Sequence, residues 1–134
     1  MEPGDDTYVP GFLMSKATAI VGARRAAAFI VRREENNCET LHLFRHYSIN
    51  CEDEATAAIA AEALRIFVIP CLMKDEDGVV EVPGTQDAAG KSYALVFLAR
   101  DGTGVCGATI MVVDVATRAE AERRLAALQR VMAE

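Results

Sequence analysis

Residues 92–115 read SYALVFLAR, DGT and GVCGATIMVVDV in succession, so two long runs of apolar and β-branched residues flank a turn at 101–103. An Asp-Gly turn between two such runs is a strong short-range signal for a β-hairpin. The two runs are therefore expected to pair antiparallel. This is the strongest hairpin signal in the chain.

Upstream of this hairpin, the sequence predicts a helix and then a second hairpin. One helical stripe over residues 10–22 comprises Leu13, Ala17, Ile20 and Val21, and Gly22 follows where a left-handed cap is common. Residues 26–31 are apolar on both alternating faces, which is typical of a strand inside a sheet. A polar turn over 32–39 leads to a second strand over 40–49.

Residues 53–73 predict an alanine-rich helix between the two hairpins. Its apolar face comprises Ile59, Ala63, Ile66 and Phe67, and the acidic residues 52–54 lie at its start, where the helix dipole favours negative charge. Pro70 cannot donate a backbone hydrogen bond to the preceding turn. The helix is therefore expected to kink at Pro70 or to end by Ile69.

The remaining segments complete an α+β pattern. Residues 74–91 predict a mobile loop with one short strand at 79–82, and the capping box from Thr117 to Glu120 opens a final helix. The order of elements predicts an antiparallel β-sheet flanked by helices. A chain of 134 residues corresponds to one domain over 1–134, with an ordered core of about 10–133.

Composition and charge argue against two kinds of partner, nucleic acids and membranes. Fourteen Lys and Arg against twenty Asp and Glu leave a net charge of -6, which opposes nucleic-acid binding. The 51% hydrophobic fraction argues against disorder, and no uninterrupted apolar run approaches the roughly 20 residues of a membrane span. We therefore expect neither a nucleic-acid partner nor a membrane.

The N-terminus and the cysteines indicate a reducing compartment. Residues 1–6 are acidic, whereas an export signal begins with a basic segment. The four cysteines contain no CxxC pair that would indicate a zinc ribbon or a redox motif, and they are Cys38, Cys51, Cys71 and Cys106. Reduced thiols and a cytoplasmic location are expected.

Three segments carry a resemblance to the GAF domain, a small sensor fold related to PAS domains. Residues 20–31, IVGARRAAAFIV, resemble the family's helix, "GA-R-A" corner and first strand. Residues 46–49 are similar to its second strand, and 94–102 with 105–113 look like its "vPL...dg..vGvl.l" hairpin. The resemblance implies a regulatory domain that holds a small molecule between the sheet and a covering helix or loop, or that dimerises.

The resemblance does not identify a ligand or cofactor. Cyclic-nucleotide members carry an Asn-Lys pair, which this chain lacks, and phytochrome-type members usually bind their chromophore through a Cys followed by His, which is also absent. The cover would be the helix at 54–73 with the loop at 74–91. Candidate ligand contacts, chosen by position, are Phe44, His46, Phe67, Cys71 and Tyr93.

The two histidines do not predict a metal site. On a strand, the i, i+4 spacing of His42 and His46 puts both on one face, about 13 Å apart, too far to share one ion. Phe44 lies between them, so the three side chains could line a pocket. The alternative, polar residues on a partly exposed sheet face, stays open.

The sequence around Cys106 suggests an enzymatic function as an alternative. Residues 104–107, GVCG, are superficially similar to a motif of the free methionine-R-sulfoxide reductases, an enzymatic branch of GAF proteins. That chemistry needs a second, resolving cysteine, and the branch's surrounding sequence is missing here. A structural Cys106 and no catalytic residue are expected, with a thiol-based reductase as the alternative.

The last helix carries a two-heptad apolar seam formed by Ala121, Leu125, Leu128 and Met132. This seam either packs on the domain's own sheet or forms a homodimer. The helix reaches the end of the chain without a stop signal, which predicts continuation into a larger protein. The leading hypothesis is a non-catalytic regulatory module that binds a small ligand, dimerises, or does both, and signals through its terminal helices. The alternative is a structural interaction domain without a ligand.

Overall fold

The computed structural model of this chain describes residues 21–33, 39–48, 53–82, 91–102 and 104–132. The elements within these ranges are β1 (Arg25–Arg33), β2 (Glu39–Ser48), α1 (Glu54–Ala63), α2 (Arg65–Lys74), β3 (Gly78–Glu81), β4 (Lys91–Asp101), β5 (Gly104–Val115) and α3 (Arg118–Met132). Most of the predicted first helix and residues 83–90 of the predicted loop lie outside the described residues. At the end of that helix, Val21 is helical and Gly22 has a φ of 70°, as expected for a glycine cap.

The five strands form one antiparallel sheet in the order β2-β1-β5-β4-β3. The predicted hairpin is the β4–β5 pair, whose register runs from Lys91 opposite Val115 to Asp101 opposite Gly104. β1 lies between β2 and β5, which confirms its predicted place inside the sheet. The α+β architecture predicted from the order of elements is therefore the one observed.

Alternate residues of the strands build two separate cores, one on each face of the sheet. Leu95, Met111 and Val113 pack against α3 on one face. Phe29, Val96 and Ile110 pack against α1 and α2 on the other. The β1 residues Ala26, Ala27 and Ala28 are all fully buried, because small side chains in the middle of the sheet let helices approach from both sides.

The helix after the first hairpin breaks at Leu64 and not at Pro70. The side chain of Asp53 caps α1 by accepting the backbone N–H of Thr56 at 2.7 Å. At the junction, Leu64 N donates to the Ala61 carbonyl and Phe67 N to the Leu64 carbonyl. Pro70 lies inside α2, where its missing donor would bond to the carbonyl of Ile66. Ile66 is largely exposed, so water can hydrate that carbonyl, and the proline is tolerated.

The combined helical segment Glu54–Lys74 is long and apolar enough, by length and composition, to cross a membrane. The expectation drawn from uninterrupted apolar runs missed it, because Glu62 and Arg65 interrupt the run. Such a segment is weak evidence by itself, since core helices of soluble proteins pass the same test. Here the inward side chains of Ala61, Val68 and Cys71 pack on the sheet, yet only 28% of the most apolar window is buried.

Candidate functional site

A cavity of about 400 Å³ opens between the start of β2 and α2. Its lining residues are Glu39, Thr40, Leu41, Arg65, Ile69, Leu72 and Met73. Leu41 is buried and forms part of the floor, whereas Ile69 and Met73 are 42% and 81% exposed and form the outer wall. The cavity is therefore mainly apolar and is reached from solvent along the outer side of α2.

Arg65 supplies the fixed polar group of this cavity. Its guanidinium donates hydrogen bonds to the Leu41 carbonyl and, through two nitrogens, to the Glu62 carboxylate. It also lies over the Phe29 ring, with 5.3 Å between the guanidinium carbon and the ring centroid. These contacts tie α2 to β2 and hold a cation beside apolar walls, an arrangement that can orient a ligand with a polar end.

A β-bulge at Phe44 changes the predicted arrangement of the histidines. Ala28 lies opposite Arg45, but Phe29 lies opposite Leu43, so Phe44 is the extra residue on β2. An extra residue shifts the alternation of side chains by one position. The prediction that His42 and His46 share a face is therefore wrong.

His46 lies on the sheet face that α1 and α2 cover. It is opposite Ala27, and its Nε2 lies 2.9 Å from Oε2 of Glu54, the first residue of α1. His42 Nε2 instead lies 3.1 Å from Thr40 Oγ1. The described residues contain no cluster of three or more His, Cys, Asp or Glu side chains that could hold a metal ion.

The structure does not bring the five candidate ligand contacts together. Phe67 is half-buried on α2, Cys71 is buried, and Tyr93 is buried on the opposite face, against α3. Cys71 lines a separate cavity of about 180 Å³ beside Gly78 and Val79. None of the five lines the larger cavity. Sequence reasoning missed Arg65, whose one available signal was a charge inside an apolar helical run.

The Cys71 thiol shows no activation. Burial raises the pKa of the Cys71 thiol, which disfavours the reactive thiolate. Cys106 lies in a bulge of β5, since Ala99 pairs with Gly107 and Arg100 with Val105. Both Cys71 and Cys106 are free thiols. Cys38 and Cys51 lie outside the described residues, so the reductase alternative stays untested.

The seam of α3 packs on the domain's own sheet. Ala121, Leu125 and Leu128 are buried in the core with Leu95 and Met111, which corrects the use of these three side chains as a dimer interface. The side chain of Met132 lies outside the described part of the chain.

The start of α3 shows half of the predicted capping box. Thr117 Oγ1 accepts the Glu120 N–H at 3.2 Å. The Glu120 carboxylate instead accepts hydrogen bonds from Arg123 and Arg124, and these bonds lower its pKa. The Thr117 hydroxyl therefore caps the helix, while the Glu120 carboxylate pairs with two arginines of the same helix.

Comparison with known proteins identifies the fold. No family model and no curated protein matches the sequence. Among solved structures, the chain is similar to a GAF domain/HD domain protein from Geobacter sulfurreducens, with a TM-score of 0.58, 16% identity and coverage of 94% of this chain and 88% of that one. It is also similar to a GAF3 domain from Synechocystis, solved in its photoproduct state, with a TM-score of 0.52, 7% identity and coverage of 92% and 87%. At such identities the likeness shows a shared fold alone.

Proposed function

We propose that this chain, whose fold is that of GAF domains, is a non-catalytic regulatory module that binds a small ligand in the cavity between β2 and α2. The observation that carries the proposal is the cavity itself. Its volume of about 400 Å³ is that of a small-molecule site, and apolar side chains line it beside a few polar groups. A compact apolar molecule with one polar acceptor group, placed near Arg65, fits this lining.

A route from the cavity to the last helix supports a signalling role. α2 ends at Lys74, and the turn that follows contains Asp77. Asp77 Oδ1 accepts the Leu98 N–H of β4 at 2.8 Å, and Oδ2 accepts Gln129 Nε2 of α3, also at 2.8 Å. A ligand that favours one position of α2 thereby favours one position of α3, which is a population shift between two arrangements.

Native mass spectrometry of freshly purified protein and a thermal-shift screen of small metabolites test this function. A ligand that binds the native state only raises stability by about 2.7 kcal/mol at a concentration of 100 Kd. In Ile69→Trp, an indole on the cavity wall fills the space, so the thermal shift is expected to disappear. The matched control is Ile66→Trp, on the same helix but outside the lining, and it is expected to keep the shift.

Two results would contradict the proposal. A chain without bound mass, whose thermal midpoint no compound raises, would favour the structural interaction domain. A compound that binds Ile69→Trp as tightly as the unaltered chain would place the ligand site elsewhere.

A further inference from the structure

Arg65, the fixed polar group of the cavity between β2 and α2, is paired with a carboxylate of its own segment. Glu62 lies in the last turn of α1 and Arg65 is the first residue of α2, so the pair spans the break at Leu64. Glu62 Oε1 accepts a hydrogen bond from Arg65 Nε at 3.2 Å and a second one from Nη2. The guanidinium therefore presents hydrogen-bond donors at the cavity as part of a neutral pair.

Two N–H groups of the Arg65 guanidinium remain for a ligand. Arginine has five such donors, and within the described residues three are engaged, two with Glu62 and one with the Leu41 carbonyl. The hydroxyl of Thr40, the other hydrogen-bond donor among the side chains of the described lining, lies 3.1 Å from His42 Nε2. An acceptor oxygen on a ligand is therefore best matched by Arg65.

The charges around the cavity oppose an anionic ligand. Glu39, the other charged residue in the described lining, is also acidic. Lys74, the basic residue at the end of α2, lines the separate cavity beside Cys71 instead. Because the remaining wall is apolar, a ligand carboxylate bound to Arg65 would lose its water and lie near the Glu62 carboxylate. A neutral oxygen avoids both costs.

We infer that the cavity selects an uncharged ligand, an apolar molecule with a neutral carbonyl or hydroxyl oxygen, and that Glu62 sets this preference by holding Arg65 in a neutral pair. The inference rests on the proposed function, because it names the ligand class of the same cavity. Without the Glu62 carboxylate, the same guanidinium would carry a net charge and would favour the bidentate pair that arginine forms with carboxylates.

Two probes that differ mainly in charge test the ligand class. Octanamide and octanoate share one chain and nearly one shape, and at about pH 7.5 the carboxylate is ionised. By isothermal titration calorimetry, octanamide should bind the unaltered chain about tenfold more tightly than octanoate does, because a like charge beside Glu62 weakens binding. Ile69→Trp, which fills the cavity, should abolish octanamide binding and so locate the probe.

Variants of Glu62 test its part in the preference. In Glu62→Gln, octanoate should bind about tenfold more tightly than to the unaltered chain, because it takes the charged partner's place on Arg65, while octanamide should change little. Glu62→Asp keeps the charge and should keep the preference for octanamide. The matched control is Glu54→Gln, which removes one charge from the same helix at a carboxylate 2.9 Å from His46 Nε2. Circular dichroism checks that each variant is folded.

Three outcomes would overturn the inference. Octanoate that binds the unaltered chain as tightly as octanamide would reject selection for an uncharged ligand, and this comparison needs no variant. Equal gains in octanoate affinity for Glu62→Gln and Glu54→Gln would assign the effect to the overall charge of the chain. Binding of neither probe would reject this ligand class. The proposed function would still stand if the metabolite screen gave a charged ligand whose binding Ile69→Trp abolishes.

Discussion

α3 and the α1–α2 pair cover opposite faces of one sheet, and they do so in different ways. α3 is a polar helix with one apolar stripe, and that stripe is buried. Polar anchors hold it on both sides, since Arg118 donates to the Val79 carbonyl at 2.7 Å and Arg124 to the Val21 carbonyl at 2.9 Å. On this face, the chain's own sheet therefore covers Ala121, Leu125 and Leu128 of the helix.

The α1–α2 face has more apolar surface than the sheet can cover. Its inner side packs through Ala57, Ala61 and Val68, while Ile59 and Ile66 on its outer side are exposed and a cavity lies between α2 and β2. A helix that is apolar on all sides is normally covered on all sides. The comparison indicates that the α3 face covers the apolar side chains of its helix, whereas the α1–α2 face leaves several large apolar side chains exposed.

The largest expected effect contrasts a buried side chain of α3 with an exposed side chain of α2. Leu128 on α3 is fully buried, so Leu128→Ala should lower the free energy of unfolding by about 2–5 kcal/mol. Met73 on α2 is 81% exposed, and Met73→Ala at low protein concentration should change it by less than about 0.5 kcal/mol. Urea denaturation measures both values. Equal losses would show that Met73 contributes to stability as much as Leu128 does, despite its exposure.

A second prediction concerns the residue that joins the two faces. Asp77→Ala removes the acceptor of the Leu98 N–H and of Gln129, and leaving a half-buried donor without its partner costs about 1–3 kcal/mol. Gln129→Ala should cost less, because it removes only the exposed bond. Hydrogen exchange should show faster opening in both α2 and α3 of Asp77→Ala. Faster opening confined to one helix would mean that the faces are not coupled through Asp77.

A smaller effect is expected at the start of α3. Thr117→Ala removes the side-chain cap on the Glu120 N–H and should cost about 1 kcal/mol. Thr117→Ser keeps the hydroxyl and should restore most of this loss. Urea denaturation midpoints of the two variants test whether the hydroxyl caps the helix. A serine variant as unstable as the alanine variant would show that it does not.

The smallest expected effect is a loss of stability at alkaline pH that is due to Cys71 in α2. Burial raises the pKa of Cys71, and the nearby Asp77 carboxylate adds to the shift. The folded pKa then lies above the unfolded value of about 8.5. The thiol's contribution to stability is present below that value and is lost as pH rises through the folded pKa.

Unfolding free energies between pH 7.5 and 10 test this linkage. The unaltered chain should lose stability more steeply in alkali than Cys71→Ala does, and Cys106→Ala serves as the control thiol variant. Parallel curves for the unaltered chain and Cys71→Ala would assign the alkaline loss to other groups.

Local sequence signals predicted the elements well, because strands and helix ends depend on neighbours along the chain. The turn at 101–103 predicts the β4–β5 pair, and Thr117 predicts the start of α3. The bulge at Phe44 was not predicted, since the register of β2 depends on its pairing with β1, which lies in a different part of the chain. The cavity was missed because the contact between Arg65 and Leu41 joins residues from separate elements.

What the sequence determined by itself is the fold class and the positions of its elements, since hydrophobic periodicity and turn chemistry act over a few residues. Only the tertiary structure decided which helical stripe is buried. The α3 seam and the isoleucines of the α1–α2 segment both recur with heptad spacing, yet the sheet covers Leu125 and Leu128 and leaves Ile59 and Ile66 in solvent. The reason is steric: on α1 the alanine side, with Ala57 and Ala61, lets the helix approach the sheet closely, so the larger isoleucines point outward.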